Sequence, residues 1–142
     1  MSAVDDVDQL IEQWQLAAGE FVKGNPEPVK RLWSHKEDVT LANPYGPPVR
    51  GFDEVAKTIE HAASLRRDGE FVGSQIVAKY VTPELAYVVQ LERAKVGSRE
   101  DITPSATRAT MIFRPEDGEW KIVHRHADSI DSAQAAESLI QQ

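Results

Sequence analysis

The hydrophobic pattern changes at Gly69, and this change constrains the fold more than any other feature of the sequence. Before Gly69, apolar residues recur every three or four positions, which predicts amphipathic helices. Short turns that contain proline or glycine join the later part of the chain into two antiparallel hairpins. Their strands are runs rich in valine, isoleucine and tyrosine at 71–81, 85–96, 103–114 and 119–127. This order predicts an α+β fold, with helices on one face of a curved antiparallel sheet.

Three helices are predicted in the first half of the chain. The first covers roughly the first twenty residues. Asn25 then suits the N-cap, and Pro26 the first turn, of a short helix that ends near Trp33. A strand candidate follows at 38–41. The third helix comes after the segment 43–51, whose three prolines and two glycines exclude regular structure.

The composition indicates one globular domain. The chain has 142 residues, of which 41% are hydrophobic, and a net charge of −7. The negative charge argues against nucleic-acid or anionic-membrane partners, and no apolar run approaches the roughly 20 residues of a membrane span. Cysteine is absent, which excludes disulfides and thiolate chemistry and favours a cytoplasmic location. We expect a single domain over 1–128 and a tail or weak helix over 129–142.

Two histidines near the C-terminal end share a strand face with two large apolar residues. Regular alternation puts four residues on one side of the last strand: Trp120, Ile122, His124 and His126. The opposite side of this hairpin is too cationic for a core, so we expect both histidines to point inward. Across the hairpin, Ala109 and Met111 fall on the same side and are small or flexible. The sequence therefore predicts a cavity beside the histidines.

Three segments carry a resemblance to a known superfamily: EDVTLANPYGPPVRGFDEV, ELAYVVQLER and RATMIFRPEDGEWKIVHRHAD. Through them the chain resembles the nuclear transport factor 2-like superfamily. Within it, the chain is similar to the SnoaL-like proteins, which include polyketide cyclases and ketosteroid isomerase relatives. The third segment also resembles the association domain of calcium/calmodulin-dependent kinase. The resemblance, from the Trp14 helix to Asp128, implies a cone-shaped sheet wrapped around helices, a pocket at its open end, and homodimers formed through the outer sheet face.

The resemblance also orients the strand predicted at 85–96. Hydrophobicity alone would bury Tyr87, Val89 and Leu91. In the kinase association domains, however, the position that matches Glu92 looks into the pocket. On this basis we expect Gln90 and Glu92 to face inward. The alternate residues then form an apolar outer face that suits a dimer interface.

The candidate site combines the inward polar residues with aromatic residues and a loop at the pocket mouth. The candidate catalytic residues are Glu92, His124 and His126, and the candidate ligand-binding residues are Trp14, Trp33, Asn43, Tyr45, Gln90, Ala109 and Met111. Each has a structural alternative: an ion-paired carboxylate, a satisfied core histidine, or an aromatic core residue. The His-x-His spacing can bind a metal, but it lacks ligands beyond Glu92, so no metal is expected.

Two functions fit these residues. The first is a cofactor-independent isomerase, cyclase or dehydratase that acts by general acid–base chemistry on an apolar carbonyl substrate, with Glu92 or a histidine as the base. In this case burial would raise the pKa of Glu92. This sequence departs from the ketosteroid isomerases. Their sites use Asp carboxylates and Tyr, and no matching group of Asp residues is found in the interior predicted here. The second function is a non-catalytic dimeric domain that binds a small apolar or anionic molecule.

Overall fold

The computed structural model describes residues 2–44, 46–96 and 103–130, and these contain three helices and six strands. The helices are α1 (Ala3–Phe21), α2 (Glu27–Leu32) and α3 (Phe52–Ser64). The strands are β1 (Thr40–Ala42), β2 (Val49–Arg50), β3 (Glu70–Val81), β4 (Ala86–Val96), β5 (Thr103–Glu116) and β6 (Glu119–Ser129). The predicted helices and both hairpins are therefore confirmed. From residue 131 onward, the predicted tail lies outside the described residues.

Local capping explains where the first two helices begin. The side chain of Ser2 accepts a hydrogen bond from the backbone N–H of Asp5 at 3.2 Å, which caps α1. Asn25 Oδ1 accepts from the backbone N–H of Glu27 at 3.2 Å, with Pro26 at the start of α2. Asn25 therefore bonds the first turn of α2, as expected of a cap, but the N-cap position itself is occupied by Pro26.

The strands form one curved sheet in the order β2-β1-β6-β5-β4-β3. All neighbours are antiparallel except β1 and β6, which run parallel, so the sheet is mixed rather than wholly antiparallel. The short strand β2 lies within 43–51, where regular structure was not expected. Its two residues pair with β1, which explains how a proline-rich segment joins the sheet edge.

An extra residue in β6, Val123, changes the register of the last hairpin. Phe113 of β5 lies opposite Ile122, whereas the preceding residue, Ile112, lies opposite His124. Two steps along β6 therefore match one step along β5, which is a β-bulge. Because side chains alternate between faces, the bulge reverses the alternation for the rest of the strand.

Beyond the bulge, Arg125 and Ala127 take the inward positions of β6, opposite buried residues of β5. His124 and His126 take the outward positions. The prediction that both histidines point inward is wrong, because it assumed regular alternation through the strand.

The core fills the space between the three helices and the inner face of the sheet. Its largest fully buried side chains are Trp33, Phe113, Met111 and Ile122. The inward face of β4 is Ala86, Val88, Gln90 and Glu92, all buried, which confirms the orientation expected for that strand. Of the helices in the described ranges, none has the length and apolar character needed to cross a membrane.

Candidate functional site

A cavity of about 150 Å³ lies between the helices and the inner face of the sheet. Most of its lining is apolar: Trp14, Ala18, Phe21, Val22, Val29, Trp33, Leu41, Pro44, Ile59, Ala62, Phe71, Ala94, Val96 and Ala127. The polar lining residues are Asn43, Arg66, Glu92, Ser105, Thr107, Arg125 and Ser129. An apolar enclosure with a few polar groups is the usual form of a small-molecule site.

Glu92 is buried at the inner wall of this cavity and receives four hydrogen bonds. Trp14 Nε1 donates to its Oε2 at 3.1 Å, and Gln90 Nε2 donates to the same oxygen at 2.7 Å. Arg125 donates from Nη1 to Oε2 at 2.8 Å and from Nη2 to Oε1 at 2.6 Å. Oε2 accepts three of these hydrogen bonds and Oε1 accepts one, so both oxygens of the carboxylate are bonded within the protein.

Arg125 completes the polar group as a buried ion pair with Glu92. Its guanidinium also lies over the ring of Trp14, 4.5 Å from the ring centroid. The two charged side chains are 13% and 8% exposed, so water screens their attraction little. The ring and the two parallel hydrogen bonds together fix the plane of the guanidinium.

The pKa of Glu92 is lowered. Burial alone would raise it, but the charge of Arg125 and the hydrogen bonds from Arg125, Gln90 and Trp14 outweigh burial. The expectation of a raised pKa is therefore wrong. A carboxylate held ionised in this way is a weak base.

The two candidate catalytic histidines lie on the outer face of the sheet. His124 is half-buried there, and its Nδ1 shares a hydrogen bond of 2.7 Å with Thr40 Oγ1. Burial lowers the pKa of His124, and the neighbouring His126 lowers it further. His126 is exposed. Neither histidine lines the cavity, and within the described part of the chain no three His, Cys, Asp or Glu residues form a group that could hold a metal.

The predicted ligand-binding residues divide into three groups. Trp14, Trp33 and Asn43 line the cavity. Tyr45 lies outside the described residues.

Gln90, Ala109 and Met111 are buried but do not line the cavity, so that part of the prediction is wrong. Gln90 supports Glu92 from the neighbouring inward position of β4. Met111 packs in the core cluster, because the strands carry the inner face beyond the cavity toward the closed end of the cone.

Sequence reasoning missed Arg125, which regular alternation had placed on the outer face. One signal could have found it. A buried carboxylate needs a cationic partner, and the inward set predicted for the last hairpin contained no permanent cation. A change of register in β6 supplies that partner.

The outer face of the sheet carries an apolar patch, defined by Tyr80, Tyr87, Val89, Leu91 and Ile112. The two tyrosine rings stack with centroids 5.9 Å apart and are 60% and 40% exposed. The other three residues are partly exposed. No helix in the described ranges packs on this face, so the patch is open to solvent or to a partner.

The sequence profile of the SnoaL-like domain matches residues 7–130. No curated protein matches the chain in sequence. The match covers most of the chain, including every strand and both residues of the buried ion pair.

Several solved structures share the fold at low sequence identity. A nuclear transport factor 2-like protein of unknown function from Pseudomonas putida is 19% identical, with a TM-score of 0.75, and the match covers 96% of this chain and 94% of that one. A protein with a cystatin-like fold from Novosphingobium aromaticivorans is 18% identical, with a TM-score of 0.68 and coverage of 99% and 90%. A ketosteroid isomerase-like protein from Erwinia carotovora is 18% identical, with a TM-score of 0.68 and coverage of 87% and 96%.

Proposed function

The chain belongs to the SnoaL-like domain family, and on this premise we propose that it is a small-molecule binding protein whose ligand occupies the cavity. The observation that carries the proposal is the hydrogen-bonded pair of Glu92 and Arg125 in an otherwise mainly apolar enclosure. The apolar walls favour an apolar ligand body through burial of its surface. The polar pair at the inner wall gives such a ligand a defined orientation.

The proposal favours binding over acid–base catalysis. Proton abstraction needs a base with a free lone pair and a pKa near the working pH. Among the described cavity-lining residues, Glu92 is the one carboxylate and there is no histidine. Since Arg125 lowers the pKa of Glu92 and four donors occupy its oxygens, this carboxylate is suited to holding Arg125 in place.

The binding proposal can be tested with a cavity-filling variant. Native mass spectrometry of the purified protein reports any ligand that it retains, and titration with toluene, followed by protein NMR, reports occupancy of the apolar walls. Ala127→Leu adds volume inside the cavity and should abolish the toluene response. Ala78→Leu, on an exposed part of β3, is the matched control. An unchanged titration in Ala127→Leu would place any binding outside this cavity.

We also propose that the partner of the apolar patch is a second copy of the chain. A two-fold dimer places the same patch on both sides, so stacked tyrosines on one protomer meet their equivalents. The rim carries Arg108, which donates two hydrogen bonds of 2.9 Å to Asp128. Arg108 and Asp128 lie side by side, so across the two-fold axis of the dimer Arg108 of one protomer can pair with Asp128 of the other.

A further inference from the structure

Arg125 retains hydrogen-bond donors that the protein does not use. A guanidinium has five N–H donors, and two of them go to Glu92. In the ranges that the structure describes, no other acceptor is bonded to Arg125, and the side chain lines the cavity. The remaining N–H groups are thus available to a molecule inside the cavity.

Glu92, by contrast, has little left to offer a ligand. Its Oε2 already receives donors from Trp14, Gln90 and Arg125, and its Oε1 receives a second donor from Arg125. A ligand ammonium at this wall would lie beside the positive guanidinium, and the acceptor nearest to it, Oε1, already bonds that guanidinium. The inner polar wall therefore mainly donates hydrogen bonds.

The donors are also held in a fixed position. The Trp14 ring lies under the guanidinium, and the two hydrogen bonds to Glu92 set its rotation. A donor that is already oriented loses little entropy when it binds an acceptor. The hydroxyl groups of Ser105, Thr107 and Ser129 can both donate and accept, so they discriminate less between ligands.

We propose that Arg125 is the specificity-determining residue of the cavity and selects ligands that carry a carbonyl or carboxylate oxygen on an apolar body. The cavity volume of about 150 Å³ equals that of an engineered apolar cavity that binds benzene, so one ring is a suitable body. This inference rests on the proposed binding function.

A set of one-ring probes tests the inference: toluene, acetophenone, benzoate and benzylamine, each titrated against the full chain by NMR or calorimetry. Acetophenone, benzoate or both should bind about tenfold more tightly than toluene, because a hydrogen bond from a charged donor is stronger than one between neutral groups. Benzylamine, which carries an ammonium, should bind more weakly than toluene. The ratio of acetophenone to benzoate affinity separates a neutral carbonyl ligand from an anionic one.

The matched variant replaces both members of the ion pair, as Glu92→Gln with Arg125→Met, because removing Arg125 alone leaves a buried unpaired charge. In this variant the ratio of acetophenone or benzoate affinity to toluene affinity should lose its tenfold preference for acceptors. Arg108→Met, on the outer face, should keep that preference. Toluene binding without an acceptor preference, or tight benzylamine binding, would overturn this inference alone. Failure of every probe to bind would overturn the proposed function as well.

Discussion

Arg125 and Glu92 form a bidentate ion pair, with hydrogen bonds of 2.6 and 2.8 Å, across two strands that are not neighbours in the sheet. β5 lies between them and contributes the small or short inward residues Thr107 and Ala109. The long side chains can therefore meet over β5 on the inner face. This pair determines both the stability of the inner wall and its chemical character.

Removing one member of the pair should destabilise the fold strongly. Arg125→Met leaves the Glu92 carboxylate buried without its cation, at a cost of about 3–5 kcal/mol in the free energy of unfolding. Adding Glu92→Gln should recover a large part of that loss, because the double variant buries no charge. Urea denaturation of the wild type, Arg125→Met and the double variant measures these changes in the free energy of unfolding. The exposed pair provides the control: Arg108→Met should cost about 0–1 kcal/mol. Equal losses in Arg125→Met and Arg108→Met would contradict the burial argument.

The contribution of the ion pair should disappear in acid. Because the pKa of Glu92 is lowered in the folded protein, the unfolded chain binds the proton more readily. The stabilisation is present in full above the ordinary value of 4.5 and is lost as the pH falls through the folded pKa. Asp38 and Glu116 also have lowered pKa values, so the total stability falls with them.

Comparison of the wild type with the Glu92→Gln and Arg125→Met double variant isolates the contribution of the ion pair to stability. The difference in the free energy of unfolding between the two proteins should change with pH only below 4.5. A pH-independent difference would show that Glu92 stays protonated or exposed.

The titration of His124 should be independent of the cavity. The pKa of His124 is lowered by burial and by His126, so His126→Ala should raise the pKa of His124, as measured by NMR. Glu92→Gln should leave it unchanged, since the two side chains face opposite sides of the sheet. The same lowered pKa implies stability that is complete above 6.5 and decreases as the pH falls through the folded pKa of His124. His126→Ala itself should change stability by at most about 0.5 kcal/mol, as is usual for exposed residues.

The apolar patch should hold two copies of the chain together. Sedimentation at micromolar concentration should give twice the chain mass for the wild type. Tyr87→Glu places a charge in the patch and should give the monomer mass. Leu16→Glu, on an exposed position of α1, should stay dimeric. A monomeric wild type would rule out the proposed dimer and leave the binding proposal unaffected.

The sequence was sufficient for the architecture but not for the polar centre of the site. Helical spacing before Gly69 and the long runs after it are local patterns, so they located the helices and hairpins correctly. The face of Arg125 is not a local property. No glycine or proline marks the bulge at Val123, and the contacts that accompany the extra residue are long-range: Arg125 meets Glu92, and Val123 packs beside the core.

The bulge at Val123 also affects how functional residues can be transferred between relatives. A relative whose last strand is regular has one residue fewer between the position of Ile122 and the inward position that Arg125 occupies. A correct alignment then requires a gap at 123. If the gap is omitted, His124 is aligned with a residue that faces the cavity, and the arginine with one that faces outward. At 16–20% identity, such as the solved structures show, few neighbouring matches would expose the error.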